Sequence, residues 1–193
     1  PLPITEDAPV RPANGFQYGQ DKVTCESLLA GFASDNPGVC VTVLRTCVVM
    51  GRTARSFITQ ALFKPVLVGV AGSDPPFQFV HEEDLGRLLV HLLGEPHHGI
   101  FNVGGEGSVL YSQMARLAGR RLVSLPTWAL YPLVRITWAL RLQSDDNSAG
   151  LDFIRFPIVV STEKLRQETG FQFKYTSQQA LESFLSAQRD VLE

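Results

Sequence analysis

The chain has 193 residues, with 17 Lys and Arg against 19 Asp and Glu, a formal charge of −2 and a pI near 6.1. Its basic side chains are scattered, so it lacks the electrostatic footprint of a nucleic-acid-binding surface. Cys25, Cys40 and Cys47 are odd in number and have no Cys-x-x-Cys spacing; this argues against a disulfide framework or a zinc site and predicts small buried hydrophobes in a reducing, cytoplasmic setting.

No basic segment followed by an apolar one opens the chain, so a signal peptide is not expected. Residues 1–16 hold four prolines and predict an extended loop leading into a helix that begins near Tyr18. That helix carries Val23, Leu28, Leu29 and Phe32 and is stopped by Asp35-Asn36-Pro37-Gly38. Residues 39–44, Val-Cys-Val-Thr-Val-Leu, form a run without polar alternation, which suits a strand of a parallel sheet covered on both faces. A helix over 54–63, a strand over 66–70, a loop over 72–76 and a strand over 77–80 follow. Residues 82–93 predict a helix whose first turn, Glu82, Glu83 and Asp84, complements the helix dipole. Residues 100–103 form a short strand, residues 111–118 a helix closed by Gly119, and residues 122–125 a further strand. The apolar run 128–142 precedes a polar loop over 143–150. The closing section predicts a helix over 162–169 stopped by Gly170 and a last helix from Ser177, with Thr176 and Gln179 at capping-box spacing. Strands alternating with helices argue an α/β fold.

Chemistry concentrates at Tyr18 and Lys22, in Gln17-Tyr18-Gly19-Gln20-Asp21-Lys22. One helical turn puts the two side chains on one face, with Cβ atoms about 5–6 Å apart. An ammonium held beside a phenol favours the phenolate, so such a tyrosine is equipped to move protons. Taken alone, Tyr-x-x-x-Lys also describes an exposed solubilising pair; its company makes the difference. Ile4-Thr5-Glu6-Asp7-Ala8-Pro9 precedes it, and Leu44-Arg45-Thr46 ends the β-branched run. Phe79-Val80-His81-Glu82-Glu83-Asp84-Leu85 and Gly99-Ile100-Phe101-Asn102-Val103-Gly104-Gly105 come later. In that order these segments resemble the extended short-chain dehydrogenase/reductase family, the NAD-dependent epimerases and dehydratases, from about Pro3 to about Leu185.

The resemblance implies the C-terminal part of a Rossmann-type parallel sheet with a small α/β substrate-binding domain. Residues 1–125 would end the dinucleotide-binding domain, with substrate-domain segments interleaved, and residues 126–193 would form mainly the substrate domain and C-terminal helices. Extended members normally run to roughly 300 residues or more, so a preceding portion with the glycine-rich loop is expected. Gly99, Gly104, Gly105 and Gly107 precede a helix late in the chain and are not read as a phosphate loop. The cofactor implied is NAD or NADP. By resemblance Tyr18 is the acid/base group, and Lys22 binds the nicotinamide ribose and assists it. Arg45, Thr46 and Cys47 lie where the backbone passes the nicotinamide, and Val48, Arg52 and Asp84 are substrate-side candidates, Asp84 also serving the scaffold. The family's Ser or Thr partner of the tyrosine is expected upstream of Pro1. Thr5 has the thirteen-residue spacing of smaller short-chain relatives, but its context matches the loop after that serine.

The substrate implied is a nucleotide sugar or an apolar alcohol or ketone. Val48 stands where many nucleotide-sugar enzymes place an asparagine that donates toward phosphate, and valine has no such donor; this favours the apolar class. A homodimer is a further implication. A non-catalytic binding or regulatory module on the same scaffold is the alternative function, against which the retained Tyr18 and Lys22 weigh. His81 reads as structural, and His97-His98 reads as a solvated loop with no supporting ligand, so no metal is expected. Arg52, Arg55 and Arg155 read as surface groups unless the substrate is acidic. The run 128–142 contains Pro132 and Arg135 and is too short to span a bilayer. A lid helix over an apolar pocket is expected there, with an interfacial helix presenting Trp128, Tyr131 and Trp138 as the alternative; membrane contact is not otherwise expected.

Overall fold

The structure, a computed structural model, describes residues 3–10, 17–139 and 150–192. Residues 143–149 of the polar loop expected over 143–150 and the last residues of the apolar run, 140–142, lie outside the described residues, as does half of the proline-rich segment.

Helix α1 (Gln17–Asp35) is followed by strand β1 (Thr42–Thr46), which pairs in parallel with β6 (Gly99–Val103), from Thr42 opposite Gly99 to Thr46 opposite Val103. One residue on, strand β2 (Val48–Met50) pairs in parallel with β5 (Phe79–His81). Residues 42–50 are thus one extended segment that changes partner at Cys47, whose N–H donates to the Val103 carbonyl at 2.8 Å. The strand starts later than its β-branched composition suggested. Asn36 closes α1 through bonds to the Phe32 carbonyl, and Val39 N–H donates back to Asn36 at 2.9 Å, so residues 36–39 are a turn. The segment 48–50, too short to stand out by composition, becomes a strand only because β5 lies beside it.

Helix α2 (Phe57–Ala61) is shorter than expected, and strand β3 (Val66–Val70) pairs in parallel with β8 (Arg121–Leu125). The strand expected over 77–80 is two pieces, β4 (Pro76–Phe77) and β5, with β4 antiparallel to β7 (Val109–Leu110). The run divides at Gln78, where the partner changes from β7 to β2. Helix α3 (Glu82–Gly94) covers β2 and β5, and α4 (Tyr111–Leu117) follows β7. Gly119, with φ of 65°, and Gly170, with φ of 70°, adopt the left-handed conformation expected after α4 and α7 (Glu163–Thr169). The last helix, α8 (Ser177–Leu192), carries the expected capping box. Thr176 N–H donates to Gln179 Oε1 at 2.9 Å, and Gln179 N–H donates to Thr176 Oγ1 at 3.2 Å.

The main core joins Met50, Leu67, Phe77, Phe79, Tyr111 and Met114 to Leu181 and Phe184 of α8. A second cluster, on the α3 and α7 side, holds Val80, Leu88, Phe101, Val103, Leu165 and Phe171. Phe79 and Phe101 are fully buried, each contributing about 1.5–3 kcal/mol of transfer free energy. The apolar run becomes helix α5 (Thr127–Ala139), with Leu130 packed near Val70 and Leu151, while Trp128, Leu133 and Ile136 are exposed. Gly150, expected in a loop, opens the short helix α6 (Gly150–Phe153), whose Asp152 accepts a bond from Tyr131 Oη at 2.8 Å. No helix among the described residues is long and apolar enough to cross a membrane.

Two of the three cysteines correct the expectation of burial. Cys25 and Cys40 are exposed, one on the outer surface of α1 and one in the approach to β1; Cys47 alone of the three is buried. An isolated cysteine carries no periodicity from which its environment is legible.

Candidate functional site

Tyr18 and Lys22 lie one turn apart near the start of α1. Tyr18 is 59% exposed, and Lys22 Nζ stands 5.3 Å from the centre of its ring. No side chain of α1 is buried, so the helix lies on the surface of the described residues, with Leu28, Leu29 and Phe32 exposed as well. Its position relative to the sheet is marked by Glu26, one further turn along the same side. Glu26 receives Arg45 Nε at 3.0 and 3.2 Å and Arg45 Nη2 at 2.7 Å. Arg45 Nη1 donates to the Glu6 carbonyl at 2.9 Å. The Glu26 hydrogen bonds hold the Arg45 guanidinium above its ordinary pKa, overcoming the opposing effect of burial.

Glu26 sits beside Arg45, the fourth residue of β1. Lys22 and Tyr18 lie one and two turns before Glu26, about 6 and 12 Å from it along the helix axis. In open parallel sheets, ligands occupy the crevice outside the carboxyl ends of the strands.

The loop of residues 3–8 closes the same end. Glu6 Oε1 accepts the Asn102 N–H at 2.8 Å, Asn102 Nδ2 donates to the Ile4 carbonyl at 3.1 Å, and Ile4 N–H donates to the Val159 carbonyl at 2.8 Å. Thr5, exposed, has its carbonyl in a turn with Ala8. Thr46 is exposed, and Cys47 is 8% exposed, with its Sγ directed to Gln78 Oε1 at 3.5 Å. Burial pushes the Cys47 thiol up to about 12. Buried Gln78 also receives Val160 N–H at 2.8 Å and donates to the Gly105 carbonyl at 2.9 Å, joining β4, β6 and the segment before α7.

The substrate-side candidates are dispersed. Val48 is half-buried and packs against the main core, while Arg52 is exposed. Asp84 is fully buried: its oxygens accept Lys174 N–H at 3.1 and 3.0 Å and Tyr175 N–H at 2.9 Å, and Arg87 Nη1 approaches at 2.6 Å. Its carboxylate anchors the loop before α8. His81 caps α3, with Nδ1 accepting Glu83 N–H at 3.1 Å, Nε2 3.1 Å from Ser183 Oγ, and the ring stacked on Tyr175 at 3.9 Å. With Nδ1 as acceptor the proton resides on Nε2, so the ring donates to Ser183 and is not a base for that hydroxyl. Arg155 lies 5.0 Å over the Phe156 ring. His98 Nδ1 accepts Val41 N–H at 3.3 Å, which ties the expected loop to the approach of β1. Among the described residues, no three or more His, Cys, Asp and Glu side chains converge as metal ligands.

The late glycine cluster is packed by protein. A Cβ on Gly104 would stand 2.7 Å from Gln78 Cδ, and one on Gly105 would stand 2.8 Å from the Phe79 carbonyl oxygen. Close backbone approach, not a bound phosphate, explains these two glycines. Glu26, Glu6, Asn102 and Gln78 escaped sequence reasoning. Glu26 did leave a signal, repeating the four-residue step from Tyr18 to Lys22; the others are ordinary loop and strand residues until their partners are in place.

No family model matches the sequence. Uncharacterized proteins of Mycobacterium tuberculosis and Mycobacterium bovis are 27% identical over 187 residues, 95% of this chain, and the chain spans 49% of their length. Among solved structures, MoeE5 in complex with UDP-glucuronic acid and NAD superposes with a TM-score of 0.69 at 18% identity, covering 97% of this chain and 60% of that one. RMD from Pseudomonas aeruginosa complexed with NADPH gives 0.67 at 18% identity, covering 98% and 61%. The dTDP-glucose 4,6-dehydratase of Bacillus anthracis, in complex with NAD, gives 0.66 at 16%, covering 97% and 56%. These likenesses establish the fold: a mixed α/β chain with the parallel, Rossmann-like strand pairing of short-chain dehydrogenase/reductase structures.

Proposed function

We propose that this chain supplies the acid/base helix and the substrate-side segments of an NAD(P)-dependent oxidoreductase, epimerase or dehydratase of the extended short-chain type. The observation that carries this reading is that Tyr18 and Lys22 are exposed and one turn apart on α1, the next turn of which carries the Glu26 that binds Arg45 of β1. The fold likeness to structures that hold NAD or NADPH supports the same assignment.

The donors present fit the ribose and nicotinamide end of a dinucleotide. Lys22 offers an ammonium with three N–H donors to ribose hydroxyls, and Tyr18 offers one phenol to a substrate oxygen. Arg45, Thr46 and Cys47 contribute backbone at the strand end. Because Gly104 and Gly105 are packed against protein, they do not form a pyrophosphate cradle. Bound there, the dinucleotide would supply or accept the hydride. The work of the chain is to hold that substrate oxygen and to deliver or remove its proton through Tyr18 Oη, with Lys22 stabilising the phenolate while the proton is away. Val48, Arg52 and Asp84 are assigned to the substrate side, Asp84 through the loop it anchors. The substrate class is a nucleotide sugar or an apolar alcohol or ketone, and the assembly proposed is a homodimer.

The test measures NAD+ and NADPH binding by calorimetry and turnover over a panel of UDP-glucose, UDP-glucuronic acid and apolar secondary alcohols, in the full protein that contains this chain. Tyr18→Phe is expected to retain dinucleotide binding and lose turnover by about 10²–10⁴-fold. Undiminished turnover would remove Tyr18 from its role.

A further inference from the structure

We infer that Arg45 and Glu26 form a clamp that positions the Tyr18–Lys22 helix against β1, making them positioning residues for the site; this rests on the function proposed above. The inference follows from how α1 is held. Among the described residues α1 buries no side chain fully, so the polar contacts it makes with β1 weigh heavily in setting its angle and its shift along the sheet. The Arg45–Glu26 pair suits it: bidentate, charge-assisted, with side chains 22% and 24% exposed. A planar fork on a carboxylate fixes orientation as well as distance.

The clamp does not end at the pair. The remaining guanidinium nitrogen, Nη1, holds the Glu6 carbonyl, and the Glu6 carboxylate in turn holds the backbone of Asn102, the residue opposite Arg45 in the parallel register. Helix α1, β1, β6 and the loop of residues 3–8 are therefore linked through Arg45 and Glu6. Each of the three guanidinium nitrogens of Arg45 donates within the protein, so the side chain's orientation is fixed by α1 and the loop of residues 3–8. A displacement of α1 by a fraction of a turn would move the phenol and the ammonium together.

The experiment compares Arg45→Gln and Glu26→Gln with wild type in the full protein, by amide hydrogen exchange and by the dissociation constants of NAD+ and NADPH. Exchange at α1 residues 19–26 should rise about tenfold, the factor matching the low end of a charge-assisted hydrogen bond's worth. Dinucleotide dissociation constants should rise by a similar factor while the urea midpoint and the protection of β6 stay unchanged. The reciprocal exchange Arg45→Glu with Glu26→Arg should restore α1 protection. Arg166→Ala, which removes the surface pair with Glu106, should leave both readouts unchanged. Unaltered α1 protection in both single variants overturns the clamp, as does loosened α1 with unaltered dinucleotide affinity. If Arg45→Gln fails to fold, Glu26→Gln on the surface helix carries the same comparison. If wild type binds neither NAD+ nor NADPH yet α1 loosens in the variants, the clamp stands and the proposed function falls.

Discussion

Removal of the Asp84 carboxylate tests whether that residue belongs to the scaffold. Its side chain has no exposure, and three of its four close contacts are backbone N–H contacts from Lys174 and Tyr175, with Arg87 as a half-exposed partner. Asp84→Ala strands two backbone donors, at about 1–3 kcal/mol each. The loss of the Arg87 pair adds less than about 1 kcal/mol, because that guanidinium is 49% exposed and screened by solvent. The sum predicts about 2–7 kcal/mol of lost stability. Asp84→Asn keeps one acceptor oxygen and turns an N–H₂ group toward donors, which predicts about 2 kcal/mol. Arg87→Ala leaves the backbone bonds intact and predicts about 1–2 kcal/mol, part of it from lost packing over Phe171. Urea unfolding followed by circular dichroism at neutral pH reads these as shifts in midpoint with an unchanged slope. An Asp84→Ala variant within about 0.5 kcal/mol of wild type would refute the reasoning. So would an Arg87→Ala variant equal to it in cost, which would move the energy from the loop anchor to the ion pair.

Thiol labelling should separate the cysteines: Cys25 and Cys40 react with an alkylating reagent in the folded protein, while buried Cys47 reacts only on unfolding. Cys47 and Tyr111 are both pushed by burial to about 12, from ordinary values of 9.0 and 10.0. Each binds its proton more tightly when folded, so its contribution is fully present below its unfolded pKa and is lost as pH rises through the folded one. Stability should fall between about pH 9 and 12, more gently in Tyr111→Phe, as measured by midpoints across that range. Gly105→Ala places a Cβ 2.8 Å from the Phe79 carbonyl and 3.0 Å from the Tyr175 carbonyl; since backbone atoms cannot swing aside, a loss of about 1–3 kcal/mol is expected in urea unfolding.

Much of the architecture was legible because it depends on short-range rules. Apolar period, capping spacing and glycine stops placed α1, α3, α4, α7 and α8 close to where they lie. Strand limits were less legible. Val39 to Val41 have strand composition but sit at a turn and its exit, and Val48–Met50 has too few residues to signal alone. A strand exists only opposite a partner, and the partners of β1 and β2 are 57 and 31 residues away in sequence, at Gly99–Val103 and Phe79–His81.

The candidate site divides in the same way. That Tyr18 and Lys22 share a face follows from helix geometry and is a property of the sequence by itself, as is the carboxylate-rich first turn of α3. Which groups hold that face in place belonged to the tertiary structure, since the bonds from Arg45 to Glu26 and to Glu6 cross 19 and 39 residues. The partners of Asp84 and Gln78 were decided the same way, by backbone groups that only the folded chain brings to them. Local periodicity is written in neighbouring residues, whereas the partner of a buried polar group is selected by the path of the whole chain.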